Sequence, residues 1–230
     1  MKKLMFAGLL LGVLSQAQAE TDFSGTLYRR GTQQKDLVFT LHAERGQDLA
    51  VDRYFDAKGA DAIIERVFLK EGKPWRYEFD DKQQGGMGSV EVQGSHLRLR
   101  WNQDGKITEK ITSTPDNLTF GPLYPTLLQA HFDDLLTGKK ILATVPVLSQ
   151  NRLMTAELAF QRKPQLEHKD GKVCFSMKPA NWFVALFFPP IDLYFDEKSK
   201  TLTDVHGMSL LKEKKGEDWK MTEVDLYYKH

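Results

Sequence analysis

Apolar residues alternate with polar ones along much of the chain, which is typical of β-strands that bury one face. Every second position is apolar at 37–41, 75–79 and 97–101, and at 51–55 only Arg53 interrupts the alternation. Glycines recur between these segments, at positions 46, 59, 72, 85, 94 and 105, and this spacing predicts hairpins. The alternation resumes after residue 141, so the sequence predicts about a dozen mostly antiparallel strands.

Two segments depart from this pattern and predict helices. Residues 126–136 follow two prolines, end before a glycine and carry four apolar residues at helical spacing: Leu128, Phe132, Leu135 and Leu136. This spacing predicts an amphipathic helix of about three turns. Residues 181–188 begin with Asn181 at the N-cap position, end at two prolines and are otherwise entirely apolar, which predicts a short apolar helix.

A sheet that is apolar on one side must bury that side, because its exposure would forfeit the main stabilising contribution to folding. The sequence therefore predicts a mainly β fold, in which a large antiparallel meander rolls into a barrel or half-barrel. The amphipathic helix and the short apolar helix cover its dry face.

The apolar run at residues 182–188 has two main interpretations. A plug inside the rolled sheet is the first, because large aromatic side chains are most often buried. A lining or lid for an apolar ligand is the second. Insertion into a bilayer is disfavoured, since seven residues are too short to cross one.

The first residues resemble a secretory signal peptide. Lys2 and Lys3 precede an apolar stretch, and the small-x-small pattern of residues 17–19 predicts cleavage after Ala19. The expected arrangement is a signal peptide at 1–19 and a single antiparallel β domain at 20–230, exported to the periplasm. The apolar stretch is too short for a membrane-spanning helix, so no transmembrane segment is expected in the mature chain.

Charge and motifs give little support for nucleic-acid binding or for catalysis. The 32 basic and 31 acidic residues leave a net charge of +1 without a basic patch, so no nucleic-acid partner is expected. The six histidines form no H-E-x-x-H motif, no G-x-S-x-G is present, and neither a metal site, catalytic residues nor a cofactor is implied. Cys174, the single cysteine, is interpreted as a packed thiol. The glycine-rich residues 83–89 are interpreted as a flexible hairpin tip.

Three stretches together resemble a group of uncharacterised exported bacterial proteins: Phe-Gly-Pro-Leu-Tyr-Pro at 120–125, Met-Lys-Pro-Ala-Asn-Trp at 177–182 and Pro-Ile-Asp-Leu-Tyr-Phe-Asp at 190–196. In build, the chain is similar to the periplasmic lipoprotein carriers LolA and LolB. That resemblance implies an incomplete antiparallel barrel with helices over an apolar cavity that accepts acyl chains. The chain departs from LolB because it has no lipidated cysteine.

Three functions remain open from the sequence. The first is a soluble carrier or chaperone of the cell envelope that binds an apolar small molecule or lipid. The second is an interaction or scaffold module with a filled core and an envelope protein as partner, and the third is an enzyme. The carrier hypothesis predicts a ligand site lined by Trp75, Tyr77, Phe79, Leu97, Leu99, Trp101, Leu128, Phe132, Leu136, Trp182, Phe183, Phe187 and Phe188.

Overall fold

The computed structural model describes residues 21–149, 152–166 and 171–229, and within them the protein is mainly β. In this part of the chain, fourteen strands form one antiparallel sheet. The first eight strands are β1 (Thr21–Arg29), β2 (Leu37–Arg45), β3 (Leu49–Asp56), β4 (Asp61–Lys70), β5 (Lys73–Asp81), β6 (Gly86–Gln93), β7 (His96–Gln103) and β8 (Lys106–Ser113). The other six are β9 (Ile141–Ser149), β10 (Arg152–Arg162), β11 (Lys172–Pro179), β12 (Ile191–Asp196), β13 (Leu202–Lys215) and β14 (Asp218–Lys229). The predicted signal peptide lies outside the described residues.

The first and last strands of the chain pair in the middle of the sheet, where Ser24 faces Lys229 and Arg29 faces Val224. From β1 the meander runs outward to β8 at one edge, and from β14 it runs outward to β9 at the other edge. The two edge strands are not hydrogen-bonded to each other, so the sheet stays open. The predicted fold class is confirmed in the form of a half-barrel.

The segment that joins the two edges carries the predicted amphipathic helix, divided into two parts. A 3-10 turn (Gly121–Leu123) leads into α1 (Tyr124–Ala130), and α2 (Phe132–Leu136) follows. The helix is interrupted because the backbone of His131 leaves the helical region, with φ −110° and ψ 16°. The third helix, α3 (Trp182–Ala185), begins at the predicted N-cap, where the Asn181 side chain accepts hydrogen bonds from the backbone N–H groups of Phe183 and Val184.

The core of the described chain contains three apolar clusters on the inner side of the sheet. One joins β1, β2, β4, β13 and β14, with Leu27, Phe39 and Ile63 among its buried members. A second packs α1 and α2 onto strands β9 to β13. The third joins Val90, Leu97, Leu99 and Trp101 of β6 and β7 to Leu153 of β10, so the two ends of the sheet fold towards each other.

The hairpin predictions hold, since five of the six glycines predicted at turns have a positive φ: Gly59, Gly72, Gly85, Gly94 and Gly105. The flexible tip predicted at residues 83–89 is only partly correct, because β6 begins at Gly86. Gly86 and Gly88 are buried strand residues that lie against the Trp101 ring. A Cβ atom on Gly88 would lie 2.8 Å from Leu148 Cδ1, so this glycine allows β9 to approach β6 closely.

Two strands present faces that the alternation does not predict. In β3, the residues on the inner side are Ala50, Asp52 and Tyr54, whereas Arg53 is exposed and paired with Asp61. In β5, the register against β4 shifts between Phe68 and Leu69, opposite Trp75. Trp75 is therefore 42% exposed, with its ring 6.2 Å from the ring of Phe68.

Candidate functional site

A cavity of about 450 Å³ lies inside the half-barrel. Its walls come from β4 and β5, from the segment at the start of α1, from β9 and β10, and from the region around α3. Its described lining residues are Glu65, Tyr77, Phe79, Phe120, Gly121, Tyr124, Val145, Pro146, Val147, Leu148, Met154, Ala156, Leu158, Pro179, Val184, Phe188 and Leu210. Most of these side chains are aliphatic or aromatic, and the volume falls in the range of about 300–1,000 Å³ that is typical of small-molecule pockets.

Glu65 is the one carboxylic acid among the described lining residues of this cavity. It occupies an inner position of β4 between Ile63 and Val67, and it is 4% exposed. The Tyr77 hydroxyl donates a 2.7 Å hydrogen bond to Glu65 Oε1. Burial raises the pKa of Glu65 from its ordinary value of 4.5 to about 7, and the negative charge of Asp52 adds to this increase.

Close packing holds the carboxyl group of Glu65 in place. The Tyr77 ring stacks on the Phe120 ring with centroids 4.8 Å apart. At Gly121, an added Cβ atom would lie 2.9 Å from Glu65 Oε1, so the absence of a side chain there lets the connecting segment pass over the carboxyl group. The residues of the Phe-Gly-Pro turn thus position Glu65 and Tyr77 within the wall.

A second cavity of about 160 Å³ adjoins the first, and the two share Glu65, Gly121, Tyr124 and Leu210 in their linings. Its lining adds four polar side chains: Asp52, Tyr54, Ser209 and Tyr228. Asp52 is opposite Glu65 in the β3–β4 pairing, and its Oδ1 lies 2.6 Å from Arg45 Nη2 in an ion pair. Burial raises the pKa values of Asp52, Tyr54 and Tyr228. The floor between the two cavities is therefore the polar part of an otherwise apolar interior.

The apolar run at 182–188 lies at the rim of the larger cavity. Val184 and Phe188 belong to the cavity lining, whereas Trp182, Phe183, Leu186 and Phe187 are 57–74% exposed. The plug interpretation is wrong, because a plug would bury all of these side chains. Helix α3 spans only four residues, and the two prolines at 189–190 end the apolar run directly before β12. Apolar side chains of this run thus lie both in the cavity wall and at the protein surface.

The exposure of Phe187 gives a direct test of this placement. We expect Phe187→Glu to change the free energy of unfolding by less than about 0.5 kcal/mol, as is usual for a surface substitution. Urea unfolding of both proteins, followed by circular dichroism, measures the difference. A loss of more than about 2 kcal/mol would instead indicate a buried side chain at this position.

The residues predicted to bind a ligand fall into three groups. Tyr77, Phe79 and Phe188 line the larger cavity. Packed in the core are Leu97, Leu99, Trp101, Leu128 and Phe132, together with the partly buried Leu136. Trp75, Trp182, Phe183 and Phe187 are exposed and lie outside the described cavity lining. The structure therefore does not bring the thirteen residues together in one site.

Several residues of the cavity lining are not predicted by the sequence pattern. Glu65 interrupts the apolar inner face of β4, and this interruption was a detectable sign of a special position. In the sequence, Phe120 and Tyr124 stand out only as part of the turn motif at 120–125. For Val147, Ala156 and Leu158, the strand pattern places the side chains on a face but does not show whether a cavity lies opposite them.

The described residues give little support for a metal site, a reactive thiol or a membrane-spanning helix. No group of three or more His, Cys, Asp or Glu side chains there is arranged to hold a metal ion. Cys174 is fully buried, as the packed-thiol interpretation predicts. Over the same part of the chain, none of the helices has the length and apolar character needed to cross a membrane.

Comparison with known proteins does not assign the chain to a family. No protein-family model matches it, and no curated protein is significantly similar to it in sequence.

Proposed function

We propose that this protein is a soluble periplasmic carrier or chaperone that binds an apolar ligand, a lipid or an acyl chain, in the larger cavity. The observation that supports the proposal most strongly is the cavity of about 450 Å³ with its largely apolar lining. Apolar side chains that line a cavity of this size lack some of the packing contacts that a close-packed interior provides. A ligand would restore those contacts.

The exposed apolar run at 182–188 also supports this function. Val184 and Phe188 contribute to the wall, and their exposed neighbours extend the same apolar surface to solvent. An apolar ligand can pass along this surface without crossing a polar barrier. The similarity in build to lipoprotein carriers, noted from the sequence, agrees with this route but adds no residue-level evidence.

The same run favours a second candidate, a non-catalytic interaction module of the cell envelope. Exposed aromatic residues are common at protein interfaces, and the described rim concentrates four large apolar side chains with 57–74% exposure. This candidate predicts a protein partner and does not require an occupied cavity.

Filling the cavity tests the carrier function. Ala156 lines the wall on β10, so Ala156→Trp places an indole ring in the space that the ligand would occupy. We expect this variant to bind the uncharged apolar probe N-phenyl-1-naphthylamine at least about tenfold more weakly than the wild type, measured by fluorescence titration.

Glu157→Trp is the matched control, because Glu157 is exposed on the opposite face of the same strand. It should bind the probe as the wild type does. Native mass spectrometry of protein purified from the periplasm, with lipid extraction, then identifies a bound ligand. Equal probe affinity for all three proteins, together with an unliganded mass, would support the interaction module instead.

A further inference from the structure

Glu65 has one carboxyl oxygen without a partner in the wall of an apolar cavity. Its Oε1 accepts the Tyr77 hydrogen bond, and its Oε2 accepts none from the described residues. Glu65 is 4% exposed and lines both cavities, and its Oε2 is not among the fully enclosed polar atoms that lack a partner in the described part of the chain, so this oxygen is open to the cavity space. A ligand group that donates a hydrogen bond can therefore reach this oxygen from the cavity, and an ionised carboxylate oxygen is a strong acceptor.

The groups around Glu65 are acids and hydroxyls. Asp52 faces it from β3 and is paired with Arg45, and the hydroxyls of Tyr54 and Tyr124 are without hydrogen bonds to other described residues. Arg45 is committed to Asp52, and no ion pair joins Glu65 to a described cation. Among the described lining residues of both cavities, none is lysine, arginine or histidine.

We propose that the ligand is a cationic amphiphile, whose amine head donates a hydrogen bond to Glu65 Oε2 and whose apolar tail occupies the larger cavity. This inference rests on the proposed carrier function and specifies its ligand class. The Tyr124 hydroxyl, shared by both cavity linings, is the second group available to the head.

The charge of the interior selects against anionic amphiphiles. A fatty-acid carboxylate or a phosphate head would have to give up its hydration without meeting a positive side chain in the lining. An ammonium group loses hydration too, but it gains a charge-assisted hydrogen bond to Glu65, and such bonds are stronger than neutral ones. An alcohol head is uncharged, so its hydrogen bond to Glu65 has at most one charged partner. We expect the affinity for the alcohol to lie between those for the ammonium and the anionic heads.

The ionisation of Glu65 is consistent with this role. Burial raises its pKa to about 7, and the charges that face it are Asp52 and Arg45. A nearby ammonium group favours the carboxylate form and thus lowers the pKa. Experiments at about pH 8 therefore keep both the carboxylate and a primary amine in their charged forms.

A competition series tests the ligand class. Dodecylamine, dodecanol and dodecanoate each have a twelve-carbon chain and differ in the head, and their displacement of N-phenyl-1-naphthylamine from the full mature chain is measured by fluorescence. We expect dodecylamine to bind about tenfold more tightly than dodecanol, and dodecanoate to bind most weakly. In Glu65→Gln, the amine and the alcohol should differ by less than about twofold, while the affinity for the uncharged probe is retained.

Glu44→Gln is the control, because the Glu44 side chain is exposed on β2 and lies outside both described linings. It should keep the wild-type order of affinities. If the probe binds and the amine has no advantage, or keeps its advantage in Glu65→Gln, the cationic ligand class is wrong and the carrier function stands. If the probe does not bind the wild type at all, both proposals are wrong.

Discussion

Phe132→Ala is expected to lower the free energy of unfolding by about 3–5 kcal/mol, as is typical when a buried phenylalanine is truncated. Phe132 is 1% exposed, and its ring lies 5.4 Å from the Phe175 ring and 5.9 Å from the Phe195 ring. The three rings hold α2 against β11 and β12. Truncation removes apolar burial and leaves a void that the surrounding strands can fill only in part. Urea unfolding at neutral pH measures the loss.

Phe183→Ala is the matched control, since it removes the same side chain from a position that is 57% exposed. Its free energy of unfolding should change by less than about 0.5 kcal/mol. The two variants also test whether Phe132 belongs to the core or to the wall of the ligand cavity. A Phe132→Ala protein with wild-type stability and weakened probe binding would mean that Phe132 contacts a ligand, in contradiction to its place in the core cluster.

The sequence predicts the architecture well because alternation and turn chemistry are local. Each strand shows its apolar face every second residue, and the turn glycines mark the hairpins. Whether an inner residue meets another side chain or an empty volume is not local. Leu97 and Leu99 on β7 are covered by Leu153 of β10, whereas Phe79 on β5 faces the cavity. The difference arises from the curvature of the whole sheet, which no single segment encodes.

The alternation predicts the wrong inner face for a strand whose inner side carries polar residues. In β3, the alternation predicts Val51 and Phe55 as the buried set, and the exception at Arg53 is the evidence against that assignment. The inner set contains Asp52 and Tyr54, which line the smaller cavity. Local rules commonly fail at functional sites, because a site needs polar groups where a core would have apolar ones. In β3 and β4, the residues that break the pattern include Asp52 and Glu65, which are opposite each other in the sheet.

The glycines of β6 show a second reason for incomplete prediction. Gly86 and Gly88 suggest flexibility when read locally, but in the fold they make room for Trp101, and Gly88 also for Leu148. Leu148 is 60 residues away from Gly88 in the sequence. The need for a missing side chain is thus set by a distant strand, and sequence reasoning on neighbours cannot detect it.

Wild-type stability is expected to fall relative to Glu65→Gln by about 3 kcal/mol as the pH rises from about 4.5 to about 7. The folded protein holds the Glu65 proton up to about pH 7, whereas the unfolded chain releases it near the ordinary pKa of 4.5. Between these values the unfolded state binds fewer protons, so a rise in pH favours unfolding. Below about pH 4.5 both states are protonated, and the contribution of Glu65 to stability is fully present. Above about pH 7 this contribution is lost.

Urea unfolding of wild type and Glu65→Gln across this pH range, with Glu44→Gln as the control, measures the difference. The raised pKa of Asp52 acts in the same direction as that of Glu65, whereas burial lowers the pKa of His206 and so opposes it. His206 is not among the groups that shift Glu65, so its contribution cancels when the curves are subtracted. Asp52 interacts with Glu65, so the difference between the curves reports the titration of this pair. A constant difference between wild type and Glu65→Gln over the whole range would mean that Glu65 titrates normally. The carboxyl group would then be hydrated, and the burial that raises its pKa, on which this prediction rests, would not exist.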